Sequence, residues 1–161
     1  MILNSGDKVL FIGDSITDAF RGEDPQGYGW GYVRMVRDLV WSRYPERDIE
    51  FINRGVSGDT VKALAARWQQ DVLDVNPTVL SISIGVNDVW SQPDDPRQVM
   101  LDEFESTYRD LLTQTQNKLG CRLILCEATP IGEKRDTYHN PLLEPYNACV
   151  AQLAKEFGAL L

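Results

Sequence analysis

The chain has 161 residues, with 16 basic and 24 acidic side chains, one histidine and three cysteines, for a formal net charge of -8. That length suits a single domain, residues 1–161, whose core needs no disulfide or metal. The negative balance argues against nucleic acid as a partner, because phosphate neutralisation needs a basic face. No apolar run approaches the roughly 18 residues of a membrane helix, so no membrane association is expected. Met1 to Asp7 lack the basic-then-apolar pattern of a signal peptide. Cys121, Cys126 and Cys149 are scattered and odd in number, and His139 is the single histidine. A clustered Cys/His zinc site is not expected, nor is any other cofactor, and free thiols suit a cytoplasmic location.

The apolar pattern alternates between two periods. Val9-Leu10-Phe11-Ile12 is a continuous apolar run closed by Gly13, which predicts a buried strand. A helix follows from about Gly31 to Tyr44, with Tyr32, Val33, Val36, Leu39 and Val40 on its inner face and Pro45 ending it. Ile49 to Ile52 is a second strand, leading into the turn-rich Asn53-Arg54-Gly55-Val56-Ser57-Gly58. The next helix starts near Asp59-Thr60, either of which can cap it, and buries Val61, Leu64, Ala65, Trp68 and Val72. Asn76-Pro77 breaks the chain before a third strand, Thr78 to Ile84. Ser91 to Arg97 is a polar loop with two prolines. A long helix spans about Val99 to Leu119, with Leu101, Phe104, Tyr108, Leu111 and Thr115 on one face and Gly120 as its terminator. Arg122 to Cys126 is a fourth strand, and Tyr146, Cys149, Val150, Leu153 and Phe157 mark a fourth helix ending at Gly158.

Strands alternating with helices predict an α/β fold, a parallel sheet with helices on both faces. Such sheets bind ligands at the carboxyl ends of their strands, near the reversal of strand order. With the order 2-1-3-4, the stretches Gly13–Asp18, Asn53–Gly58 and Gly85–Asp88 converge. Ser15 falls where the first turn of a helix aims a hydroxyl outward. Its plainer role, shared with Thr17, is capping. Acyl transfer needs fixed donors for a developing oxyanion. Gly58 can offer an unobstructed N–H, and Asn87 an amide donor whose polarity does not depend on pH. Each could instead be a turn residue.

These three stretches resemble the motif blocks of the GDSL-type serine hydrolases, the SGNH hydrolase family. The first block is Phe11-Ile12-Gly13-Asp14-Ser15-Ile16-Thr17, the second Asn53-Arg54-Gly55-Val56-Ser57-Gly58, the third Gly85-Val86-Asn87-Asp88. The resemblance runs along essentially the whole chain. It implies a three-layer, flavodoxin-like fold and ester hydrolysis without metal. It makes Ser15 the catalytic nucleophile and Gly58 and Asn87 oxyanion-hole donors. Leu64-Ala65-Ala66-Arg67-Trp68 and Ile84 to Trp90 most resemble acetylesterases acting on xylo-oligosaccharides. The implied substrate is a short acyl ester, an O-acetylated saccharide, with Trp90 able to stack on a sugar ring. Homo-oligomerisation is left open.

The family's last block, an Asp two residues before a His that acts as general base, has no match after the fourth helix. Ala159-Leu160-Leu161 resembles the opening of a fifth strand. The expectation is therefore a C-terminally incomplete domain, lacking the fifth strand and last helix, with base and orienting acid beyond Leu161. Asp136-Thr137-Tyr138-His139 has the right spacing but sits one element too early. It is a stand-in of last resort. Three other readings stand beside the esterase: a catalytically incompetent fragment, a pseudoenzyme that binds acetylated glycan, and a flavodoxin-like phosphate module. The last is disfavoured because Asp14 and Asp18 would repel a phosphate. A phospho-acceptor version would use Asp14, Asp18 or Asp88 with magnesium.

Overall fold

The computed structural model describes residues 3–90, 99–132 and 140–161, with only the backbone of Trp90. The predicted loop Ser91–Arg97, the pair Asp136 and His139, and the side chain of Trp90 lie outside the described residues. Strands β1 (Lys8–Gly13), β2 (Glu50–Gly55), β3 (Val79–Ser83) and β4 (Arg122–Cys126) form one sheet in the order β2-β1-β3-β4. All neighbours are parallel. The expected order and direction are the observed ones.

Continuous apolar strands are explained by burial of both faces. Leu10, Ile12, Leu80, Ile82, Leu123 and Leu125 point into one cluster, together with Trp68, Phe104, Tyr108 and Leu153. Val9, Phe11, Phe51 and Val79 point the other way, onto Val33 and the half-buried Tyr32, Val36 and Val40. Helix α2 (Tyr32–Arg43) therefore covers one face. Helices α3 (Val61–Ala66), α5 (Leu101–Lys118) and α6 (Leu143–Phe157) cover the other. Two short helices sit at strand ends, α1 (Ser15–Asp18) after β1 and α4 (Val86–Trp90) after β3. Among the described residues, no helix is long and apolar enough to cross a membrane.

Three expectations are corrected. Leu39 does not belong to the inner face of α2, being 68% exposed. That place is taken by Arg37, which lies buried against the rings of Tyr28 and Trp41. The second strand runs on through Asn53, Arg54 and Gly55, because each pairs with β1. Only Val56 to Gly58 is loop. The helix after Thr60 is not continuous: it ends at Ala66, and Gln69–Leu73 forms a separate π-helical turn. Trp68 and Val72 are buried all the same. Thr60, not Asp59, is the cap, its Oγ1 accepting from Ala63 N at 3.4 Å. At the other end of the chain Leu160 makes an isolated parallel bridge to Ile124, the start of strand pairing expected from Ala159–Leu161.

Candidate active site

The register of the sheet sets the level at which the three motif stretches leave it. Gly13 lies opposite Gly55 on one side and Ser83 on the other. The strand ends are therefore adjacent, and the segments leaving them rise from a common edge. Two glycines make this approach possible. A Cβ on Gly13 would sit 2.1 Å from Ser83 O, and one on Gly55 would sit 2.2 Å from Asp18 N. A side chain at Gly13 would wedge β1 away from β3, and one at Gly55 would push α1 off the sheet.

Asp14 caps α1, its Oδ1 accepting from Ile16 N at 2.9 Å. Ser15 is thereby the first helical residue, where the N–H has no intrahelical acceptor. Its side chain is exposed. Asn53 fixes the helix from the β2 side: Nδ2 donates to Thr17 O at 2.7 Å and Tyr28 O at 2.8 Å, and Oδ1 accepts from Gly55 N at 2.8 Å.

Gly58 is exposed at φ +87, in the left-handed region, with nothing within 4 Å of where a Cβ would stand. A side chain there would be strained and would project into open space. Its N–H donates to no group among the described residues. Neighbouring Ser57 donates to Asp18 Oδ2 at 2.6 Å, tying this loop to α1. Asn87 stands in the first turn of α4, and its Nδ2 donates to Asp59 O at 2.9 Å. The first stretch is thus joined to the second, and the third to Asp59, the residue that directly follows the second.

Arg67 is a tie to which the motif blocks give no role. Its Nε donates to Asp59 Oδ2 at 2.7 Å, and its Nη1 to Asp71 Oδ2 at 2.7 Å and Arg54 O at 2.8 Å. Its Nη2 reaches Gly13 O at 3.2 Å. One guanidinium therefore satisfies carbonyls at the ends of β1 and β2 and the carboxylate beside Gly58. The i, i+4 spacing to Asp71 is legible in sequence. The contacts across strands are not.

Two carboxyls at the site are held in unusual states. Burial, with the nearby Asp59 charge adding to it, raises Asp14 to about 6 against its backbone hydrogen bonds. Burial raises Asp88 to about 7, and Asp14 adds to the effect. The cysteines are free thiols. Among the described residues, no group of acidic, Cys and His side chains is arranged to hold a metal ion.

A parallel α/β sheet with a serine at the head of a short helix after β1, and a glycine and an asparagine after the flanking strands, is an α/β acylhydrolase architecture. The chain belongs to the GDSL-like lipase/acylhydrolase family, whose model matches residues 11–161. It is 39% identical, over 99% of its length and 77% of the relative's, to an acetylxylan esterase from Geobacillus stearothermophilus. The crystal structure of that esterase, Axe2, superposes with a TM-score of 0.90, covering 99% of this chain and 76% of that one. Solved variants described as catalytic mutants of Axe2 carry alanine in place of a serine, a histidine or an aspartate. LAE5, described as an alpha/beta hydrolase enzyme from the metagenome of Lake Arreo, Spain, is 34% identical, with a TM-score of 0.89 over 99% of this chain and 77% of its own.

Proposed function

We propose that the protein hydrolyses acetyl esters of saccharides, with Ser15 as nucleophile and the N–H groups of Ser15 and Gly58 and the Asn87 amide as oxyanion donors. The observation that carries this is the exposed Ser15 at the head of α1, with a Gly58 N–H that donates to no group among the described residues and an Asn87 amide oriented on Asp59 O following the two adjacent strands. Ser15 Oγ attacks the acyl carbon, and the carbonyl oxygen becomes an oxyanion among fixed donors. Collapse expels the sugar alcohol and leaves an acyl-serine, which water then hydrolyses. The base that takes the Ser15 proton is an Asp-oriented histidine in this mechanism, and neither partner is among the described residues.

Likeness to an acetylxylan esterase over nearly the whole chain supports acetyl as the acyl group and an acetylated saccharide as its carrier. A fluorophosphonate probe is expected to label Ser15, and Ser15→Ala to abolish both labelling and acetate release from acetylated xylo-oligosaccharides. Labelling elsewhere, or an undiminished Ser15→Ala variant, would refute the assignment. Turnover is expected to fall from acetyl to longer acyl p-nitrophenyl esters.

A further inference from the structure

Asp88 is fully buried, and nothing in the reaction as proposed uses it. Its Oδ1 accepts from Val61 N at 3.0 Å, the first N–H of α3. Its Oδ2 is buried with no hydrogen-bond partner among the described residues. The preceding residue, Asn87, donates to Asp59 O. Two successive residues of α4 therefore grip the two residues on either side of Thr60, and that segment begins directly after Gly58. This double grip links the turn that bears Asn87 to the segment that follows Gly58.

We propose that Asp88 is a positioning residue of the oxyanion hole: its Oδ1 holds the Val61 amide so that Gly58 and Asn87 keep their spacing, and its Oδ2 carries a proton in the working enzyme. The inference rests on the oxyanion assignment above. A buried carboxylate oxygen with no donor is costly, whereas a carboxylic acid there is neutral. The charged and titratable groups facing Asp88 favour that neutral form. Asp14 comes from the β1 side, and is itself faced by Asp59 from the segment before α3. Tyr146 comes from α6 and donates its hydroxyl to Val99 O. The cation on the Asp59 side, Arg67, is committed to Asp59, Asp71 and two carbonyls. A second anion beside a nascent oxyanion would oppose catalysis, so a proton at Oδ2 serves the reaction as well as the fold.

The variants Asp88→Asn, Asp88→Leu and Val61→Pro separate these roles, assayed for kcat and KM on p-nitrophenyl acetate and for melting temperature at pH 5 and pH 8. Asparagine keeps an acceptor for Val61 N and a neutral partner atom, so kcat is expected to stay within about 5-fold of wild type. Leucine is expected to lower kcat by about 100-fold with little change in KM, because only the transition state loses its fit. Val61→Pro deletes the same bond from the other side. Proline is tolerated at a first helical position, and Thr60 already holds the extended backbone (φ -97, ψ 172) that a following proline requires. Its expected kcat loss matches that of leucine, which covers the case of a leucine variant that does not fold. Asp88→Asn is also expected to lose most of the wild-type fall in melting temperature between pH 5 and pH 8. The proposal is overturned if asparagine costs as much kcat as leucine, if Asp88→Leu and Val61→Pro lower stability with kcat intact, or if the whole wild-type pH response survives in Asp88→Asn, since Asp14 accounts for only the smaller part of it. Asn87→Ala in the same assay tells the two ideas apart. If it leaves kcat at wild type, the oxyanion assignment fails; if it alone slows turnover, only the role of Asp88 fails.

Discussion

Among single residues, Arg67 carries the most structural connections at the site. Its planar fork reaches two carboxylates and two carbonyls on four different chain segments. A lysine offers one compact charge and cannot reproduce that fork. Arg67→Ala is expected to cost about 3 kcal/mol in urea unfolding, because Asp59 and the carbonyls lose a buried partner. Arg67→Lys is expected to recover less than half of it. Legibility in the sequence divides along the same line. Ser15, Gly58 and Asn87 could be picked out as candidates because each stands in a short motif of distinctive composition at a strand end. Asn53, Arg67 and the protonation state of Asp88 could not, because their meaning lies in contacts with residues 13 or more positions away. Gly55 is intermediate. Its place in a motif is visible, but the reason for glycine is the Asp18 amide that a Cβ would strike.

At the scale of elements, periodicity located the strands and the long helices because burial of a face imposes it. It failed where one polar side chain was absorbed into the core. Arg37 replaces Leu39 beneath α2 by packing its guanidinium against aromatic rings. The break between α3 and the π-helical turn was hidden because both pieces keep the same apolar stripe. The opposite ends of the strands carry their own tie. Asp7, ahead of β1, accepts from Thr78 Oγ1 at 2.8 Å and from Asn4 N at 2.6 Å, and pairs with Arg122 at the start of β4. Asp7→Ala is expected to lower stability by about 2 kcal/mol in urea unfolding, through the loss of its bonds to Asn4 N and Thr78 Oγ1 and of its pairing with Arg122. It is expected to leave kcat on p-nitrophenyl acetate at the wild-type value, because the tie lies at the far end of the sheet.

At the scale of the whole molecule, the perturbed carboxyls set the pH dependence of stability. Asp14 and Asp88 have raised values, to about 6 and about 7. The folded chain holds their protons more tightly than the unfolded chain does, so their contribution is full below about pH 4 and is lost as the pH climbs through 6 and 7. Asp7 and Asp24 behave oppositely. Burial raises both, but hydrogen bonds and the Arg122 and Arg34 guanidinium groups outweigh it and leave their carboxyls below the usual range. Their contribution is present above about pH 4 and is lost on further acidification. Melting temperature is therefore expected to peak near pH 4, to fall on further acidification toward pH 3 and to fall as the pH rises to about 7, which differential scanning calorimetry between pH 3 and pH 8 would check. A curve rising steadily to pH 8 would contradict the burial of Asp14 and Asp88.

The bonds from Arg67 to Gly13 O and Arg54 O also govern how this chain could be recombined with its relatives. A chimera with a crossover between Gly58 and Arg67 would separate the guanidinium from the strand ends and loop geometry it was fitted to. A donor segment running unbroken from β1 through the π-helical turn would carry both halves of that match. Loop grafts to alter substrate choice are thus best drawn from beyond residue 73, where β3 opens a portion of the chain that Arg67 does not touch.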